Sequence, residues 1–416
     1  MLPFVQDGTK VNGPVYNREE KNRRMGNIFS DRISDVPRSF IREIFKVAID
    51  GSVISFAGGL PNRDLFPLEE IKAATSKVLE TAGKDVLQYS TSEGYWELRE
   101  WIAKRYESKG VTVHPDNILI TSGSQQGLDL LGKTLLNEGD NVVIEEPGYL
   151  GAIQAFSMYR SVFFPVPVAI DGLDADMLQH TTTNHSIKLF YCVPNFQNPS
   201  GISYSETNRR EIARILKDKK TILIEDDPYG ELRFSGEAKP SFYELISEET
   251  VLLGSFSKIV IPSFRIGWIV ARNEIMEKLV VAKQASDLHT NYFGQRIILQ
   301  YLQDNNIDEH INKIRQAYGR QRDAMVTAIS EHFPEEIRYT QPEGGMFLWI
   351  TLPERLSAME VFKEAINRKV AFVPGDPFYV NKKDVNTLRL NYSSIDEEII
   401  WIGIKRLGGA LKAMLS

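Results

Sequence analysis

The stretch from Val251 to Ala271, V-L-L-G-S-F-S-K-I-V-I-P-S-F-R-I-G-W-I-V-A, constrains this chain more than any other. Val251, Leu252 and Leu253 form an apolar run suited to a buried strand, and it ends in the hydroxyl residues Ser255 and Ser257. Lys258 follows directly, Arg265 comes seven residues later, and a second apolar run from Ile266 to Ala271 contains Gly267. An isolated lysine beyond a strand is ordinarily a solvated charge. Burial beside another cation would instead depress its pKa and leave a neutral amine able to attack a carbonyl carbon. The two serines and the planar Arg265 supply the hydroxyls and the bidentate cation that a phosphate needs. An aldehyde that also carries a phosphate would engage all four groups, and pyridoxal 5′-phosphate (PLP) is such a molecule.

Composition narrows the setting. The chain has 416 residues, 42% hydrophobic and 25% charged, which suits a globular protein of two domains or one large domain with a smaller companion. A net charge of −6 gives no basic field for nucleic acid. Cys192, the single cysteine, lies in the apolar run K-L-F-Y-C-V-P, where a buried, inert thiol in a reducing cytoplasm is expected. The six histidines show no metal-ligand spacing, and no metal is expected. The first residues lack the basic and apolar regions of a secretory signal, and charges or glycines interrupt every apolar run short of a membrane span.

Residues 1–27 are polar and read as a flexible arm. Ser39 can cap a helix whose stripe is Ile41, Ile44, Phe45 and Ala48, with Arg42 beside that stripe as a solvated charge or a substrate-facing cation. Gly58-Gly59 permit a close backbone approach before an amphipathic helix from Leu68 to about Thr81. Tyr89 lies in a polar loop, an odd place for an aromatic side chain that touches nothing, and a further helix is expected from Trp96 to Lys109.

From Asn117 the pattern is strand, turn, helix. Ile118–Ile120 read as a strand, Ser122-Gly123-Ser124 as a turn, and the helix that follows has Leu128, Leu131 and Leu135 on one side. Ser124 and Gln125 stand at its start, where free N–H groups and the helix dipole favour an anion. Further strands are expected at Asn141–Glu145, Ser161–Val168, Lys188–Val193, Thr221–Glu225, Val251–Leu253 and Arg265–Ala271. Continuous apolar runs of this kind belong to a mainly parallel sheet covered by helices on both faces, with its ligand beyond the strand ends. The loops after those strands carry Tyr149 in E-E-P-G-Y, Asn198 in P-N-F-Q-N-P-S-G, and Asp226 and Tyr229 in E-D-D-P-Y. Each is an ordinary turn word alone. Their recurrence at successive strand ends points to a shared site.

After about residue 295 the texture changes to a long helical segment, Gln295 to Phe333, then an aromatic strand after Gly344-Gly345. A helix at Ala358–Arg368, a strand carrying Arg389 in T-L-R-L-N-Y-S, and a closing helix from Asp396 to about Met414 complete a smaller α+β domain. The expected division is an arm and helix over 1–55, a large cofactor-binding domain over 56–295, and a small domain over 296–416.

Residues 28–416 resemble fold-type I PLP-dependent aminotransferases, in particular the kynurenine and 2-aminoadipate aminotransferase subgroup. The matching words are S-F-I-R-E-I, A-G-G-L-P, Q-Y-S, S-G-S-Q-Q, E-E-P-x-Y, P-x-x-Q-N-P-S-G, E-D-D-P-Y, S-F-S-K, R-I-G and L-R-L-N-Y-S. The resemblance implies that Lys258 holds PLP covalently and that Asp226 pairs with the ring nitrogen. It implies that Tyr229 and Asn198 bind the ring oxygen and that Tyr149 stacks on the ring. Ser124, Gln125, Ser255, Ser257 and Arg265 would bind the phosphate, joined by Tyr89 from a second subunit of a homodimer. Arg389 would hold the substrate α-carboxylate, with Arg42, Gly58 and Gly59 lining the side-chain pocket. The implied reaction moves an amino group from an aromatic, 2-aminoadipate-like or broad range of L-amino acids to a 2-oxo acid such as 2-oxoglutarate. A β-eliminating lyase on the same frame is the alternative enzyme. A PLP-sensing regulator is the non-enzymatic one, but the roughly 27–40 residues ahead of the match are too few and too polar for a helix-turn-helix reader.

Overall fold

The computed structural model describes residues 29–34 and 52–415. The expected arm over residues 1–27, the helix after Ser39 and Arg42 lie outside these residues; segment 29–34 contains one short helix, Asp31–Ser34.

The described chain from residue 52 begins with strand β1 (Ile54–Ser55), which pairs in parallel with β12 (Val370–Ala371). A large sheet contains β2 (Ile118–Thr121), β3 (Asn141–Glu146), β4 (Val162–Ala169), β5 (Gly172–Leu173), β6 (Ile187–Cys192), β7 (Ile222–Asp226), β8 (Thr250–Ser255) and β9 (Gly267–Val270). Their spatial order is β2-β9-β8-β7-β6-β3-β4-β5. Strands β4, β3, β6, β7 and β8 run parallel, and β9 is antiparallel to both neighbours, so β2 runs with the parallel set.

Alternate residues of the central strands serve opposite faces, as a pleated strand requires. Val142 and Ile144 of β3, Leu189 and Tyr191 of β6 and Ile224 of β7 enter one core, whereas Val143, Phe190, Cys192 and Leu223 enter a second. Both faces are therefore buried, and the strands read as unbroken apolar runs for that reason. The Ser124–Leu135 helix covers the first face through Leu128 and Leu131, and Leu130 is buried with them, while Leu135 is only partly buried. The Glu206–Leu216 helix covers the second through Ile212, Ile215 and Leu216.

A second, antiparallel sheet has the order β10 (Arg338–Tyr339), β11 (Phe347–Thr351), β14 (Thr387–Asn391), β13 (Val373–Pro374). Arg389 occupies the middle of β14, opposite Trp349 of β11 and Val373 of β13, so its backbone is fixed from both sides.

The long helix expected from Gln295 to Phe333 is two helices, Tyr292–Asp304 and Ile307–His332. Asn305 turns extended, and the Asn306 side chain accepts hydrogen bonds from the Asp308 and Glu309 N–H groups. Asparagine satisfies the orphan donors of a helix start, and here that cap outweighs the continuing apolar period.

Candidate active site

One edge of the large sheet gathers most of the candidate residues, and Arg389 reaches it from the second sheet. The carboxyl ends of β2, β3, β6, β7 and β8 share one edge, and the reversed β9 brings its amino end, with Arg265 just before it, to the same edge. A cavity of about 340 Å³ opens there, and Ser124, Gln125, Tyr149, Asn198, Asp226, Tyr229, Ser255, Ser257, Lys258, Arg265, Gly59 and Arg389 all line it. Gly58 does not line it, and Tyr89 lies elsewhere, 78% exposed, with its ring edge-on to His289 at 5.7 Å.

One end of the cavity is an anion cup. Gly123 precedes the Ser124–Leu135 helix with φ at 77°, and no side chain caps that helix start. Its first N–H groups are left for a ligand, in the field of the helix dipole. The Ser255 hydroxyl donates to Ser257 Oγ over 2.9 Å, and Arg265 Nη1 reaches Ser257 Oγ at 3.4 Å. A Cβ on Gly123 would collide with Nη2 of Arg265, and one on Gly267 would stand 2.9 Å from the Ser124 nitrogen. Both glycines let the guanidinium and the helix start close on one small volume. Arg265 itself adopts φ of 54°, a left-handed conformation that a residue with a Cβ holds at some cost, and such strain gathers at ligand sites.

Lys258 stands in the middle. Its Nζ donates to the Gly59 carbonyl over 2.8 Å. Burial, then the nearby Arg389 and Arg265 charges, lower its pKa to about 8. The amine is therefore far closer to its neutral, nucleophilic form than an ordinary lysine.

Asp226 is 2% exposed. Its Oδ2 accepts a 2.7 Å hydrogen bond from the Tyr191 hydroxyl, whereas Oδ1 has no hydrogen-bond partner among the described residues. Burial pushes its pKa up to about 7 against the lowering effect of Tyr191. A buried carboxylate oxygen without a donor is costly, and it fits a ligand N–H such as that of a protonated pyridine. The cup, the amine and this acceptor together fit PLP.

The loop after β6 is braced from below. Glu145, fully buried, accepts from the Tyr204 hydroxyl at 2.7 Å, the Val193 N–H at 3.1 Å and Gln197 Nε2 at 3.1 Å. Gln197 Nε2 also donates to the Pro147 carbonyl over 2.6 Å, joining the ends of β3 and β6. Asn198 is thereby held with Nδ2 3.5 Å from the Tyr229 hydroxyl and Oδ1 accepting from Arg389 Nη1 over 2.7 Å. Arg389 also donates from Nη2 to the Ala57 carbonyl over 3.0 Å, and its guanidinium lies 4.2 Å from the Phe347 ring centroid. Its Nε has no partner among the described residues, and burial lowers its pKa to about 10, which leaves it a cation. Tyr149 faces the same cavity, its hydroxyl 3.4 Å from Gln125 Oε1.

Tyr191, Glu145, Leu60, Val193, Pro228 and Phe347 also line or brace the site, and no local pattern in the sequence marks them for it. Tyr191 was visible only as one more aromatic in an apolar run. Phe347 comes from β11, in the second sheet.

Comparison with known proteins agrees with this geometry. The model of the family "Aminotransferase class I and II" matches residues 52–407. The aromatic-amino-acid aminotransferase 1 of Thermococcus litoralis is 41% identical over 394 residues, covering 92% of this chain and 94% of that protein. The 2-aminoadipate transaminase of Thermus thermophilus is 41% identical over 385 residues, covering 92% and 96%. The crystal structure of Pyrococcus horikoshii kynurenine aminotransferase in complex with PMP superposes with a TM-score of 0.90 at 39% identity, covering 94% of this chain and 98% of that one. The chain belongs to the class I and II aminotransferases, enzymes of fold type I that transfer amino groups with pyridoxal 5′-phosphate.

Proposed function

We propose that the amino donor is an L-amino acid of the aromatic or 2-aminoadipate class, or a broad range including both, and that the acceptor is a 2-oxo acid such as 2-oxoglutarate. Two relatives of equal identity carry those two donor names, which supports the range without choosing within it. The observation that carries the reading is Oδ1 of buried Asp226, unpartnered among the described residues, in the cavity that also holds a lysine with a depressed pKa.

Bound PLP supplies an electron sink for negative charge at the substrate α-carbon. Asp226 Oδ1 would accept the ring N–H and keep that proton in place. Lys258 would be the amine that anchors the cofactor through its aldehyde carbon and, once free of it, the base that moves a proton at the substrate α-carbon. Tyr229 and Asn198 would donate to the ring oxygen, and Tyr149 would pack on the ring face. Ser124, Gln125, Ser255, Ser257 and Arg265 hold the phosphate, with Tyr89 of a second copy completing the site in a homodimer. The exposure of Tyr89 suits that role. Arg389 forks onto the α-carboxylate, and Gly58-Gly59 with Arg42, which lies outside the described residues, border the side-chain pocket. Release of one 2-oxo acid before entry of the next gives ping-pong kinetics.

We place this activity in the cytoplasm. The one cysteine, Cys192, is a buried free thiol, and no described helix is long and apolar enough to cross a membrane. A donor screen with 2-oxoglutarate tests the proposal: glutamate should form with aromatic donors, 2-aminoadipate, or both. Pyruvate and ammonia released without an acceptor would mark a lyase instead.

A further inference from the structure

Behind the anion cup lies a buried polar cluster centred on Lys283, in the last turn of the Asn273–Gln284 helix. Its side chain is 0% exposed. Nζ donates to Gln126 Oε1 at 2.7 Å, to Asp287 Oδ2 at 2.9 Å and to Thr290 Oγ1 at 2.7 Å, which uses all three N–H bonds of the ammonium. Burying a lysine so completely is expensive, and an apolar residue of similar length would fill the space at less cost.

The partners of Lys283 show what the charge organises. Gln126 Oε1 also accepts the Ser122 N–H over 2.8 Å, and Gln126 Nε2 donates to Asp287 Oδ2 over 2.7 Å. Thr290 passes its own hydroxyl hydrogen to the Ile120 carbonyl over 3.2 Å. Lys283 is thus tied, one residue removed, to the backbone on both sides of Thr121, where β2 ends and the Ser122-Gly123-Ser124 turn begins. With the Ser122 N–H held by Gln126 and the Gly123 N–H by the Thr121 carbonyl over 2.8 Å, the turn delivers Ser124, at the uncapped helix start, to the cavity end that Arg265 also lines.

We infer that Lys283 is a positioning residue for the cofactor phosphate: acting through Gln126 and Thr290, it holds the Ser122–Ser124 turn in the shape that receives the phosphate. It touches no substrate and no reacting atom. The inference rests on the reading that this turn and Arg265 bind the phosphate. A lysine that merely stabilised the fold would influence every ligand of the cavity alike. A lysine that shapes the cup would affect only ligands that carry a phosphate.

The full-length apo chain is titrated with PLP and with pyridoxal, which lacks the phosphate, and binding is followed by cofactor absorbance. In Lys283→Met the dissociation constant for PLP should rise about tenfold or more, as for the loss of hydrogen bonds to a charged group, while that for pyridoxal stays within about twofold. Gln126→Ala, which leaves Lys283 its ion pair with Asp287, should show the same selectivity and decides the matter should Lys283→Met fail to fold. Equal loss for both ligands, or no loss for either, overturns the inference. Arg265→Ala serves as the reference. If it discriminates between the ligands and the other two variants do not, Lys283 alone has been misread. If it does not discriminate, the phosphate reading fails and the inference falls with it.

Discussion

The Tyr191 hydroxyl donates to Oδ2 of Asp226 over 2.7 Å, while Oδ1 of that carboxylate has no hydrogen-bond partner among the described residues. The tyrosine thereby orients the acid as well as stabilising its charge. A hydrogen bond to the ionised form lowers a carboxyl pKa, and here it works against burial, which has already raised the value to about 7. Tyr191→Phe should raise the Asp226 pKa further. The acidic limb of PLP affinity of the apo-protein should then move to higher pH, with a loss of about tenfold at neutral pH. The pH profile of the variant checks this, and a limb that stays in place or moves to lower pH contradicts it.

The depressed Lys258 pKa has a kinetic consequence. Only the neutral amine can bond to the aldehyde, so the rate at which apo-protein takes up PLP covalently should follow the neutral fraction. That rate should climb with pH and level off above about 8, rather than continuing towards the ordinary lysine value of 10.5. Stopped-flow absorbance across this range measures it. Because Arg389 and Arg265 contribute to the depression, Arg389→Leu should move the midpoint upward.

Gly123→Ala tests the cup. The added methyl meets the Arg265 guanidinium, and the backbone is held at a positive φ of 77°. The expected cost is about 1–2 kcal/mol in thermal or denaturant unfolding, together with weaker PLP binding. Stability loss without any change in cofactor affinity would separate this glycine from the site.

Arg389→Lys keeps the charge but discards the planar fork and the contacts with Asn198 and the Ala57 carbonyl. KM for the amino donor should rise about tenfold or more, with PLP affinity nearly unchanged. Steady-state kinetics over several donors, beside a cofactor titration, distinguishes this from a general collapse of the site.

Much of this site was legible because a parallel sheet writes its ligand chemistry at strand ends. An apolar run that stops abruptly at Ser255 or Asp226, or a few residues before Asn198, marks the edge of the sheet where the site lies. Tyr191 was not legible for a related reason. Inside a fully buried strand both faces are apolar, so nothing in the run K-L-F-Y-C shows which face the hydroxyl takes. That depends on sheet register, with Tyr191 beside Ile224, two residues short of Asp226. The break at Asn305-Asn306 escaped because helical periodicity continues across it and only the cap geometry exposes the interruption. Phe347 required the second sheet to be placed against the first, which no local pattern encodes.

The central claim is a covalent bond between Lys258 and the cofactor aldehyde, and borohydride reduction of the PLP-loaded protein followed by peptide mass mapping tests it most directly. A reduced pyridoxyl adduct on the peptide containing Lys258, absent from Lys258→Ala together with turnover, is the predicted result. An adduct on a different lysine, or full turnover in Lys258→Ala, would contradict it.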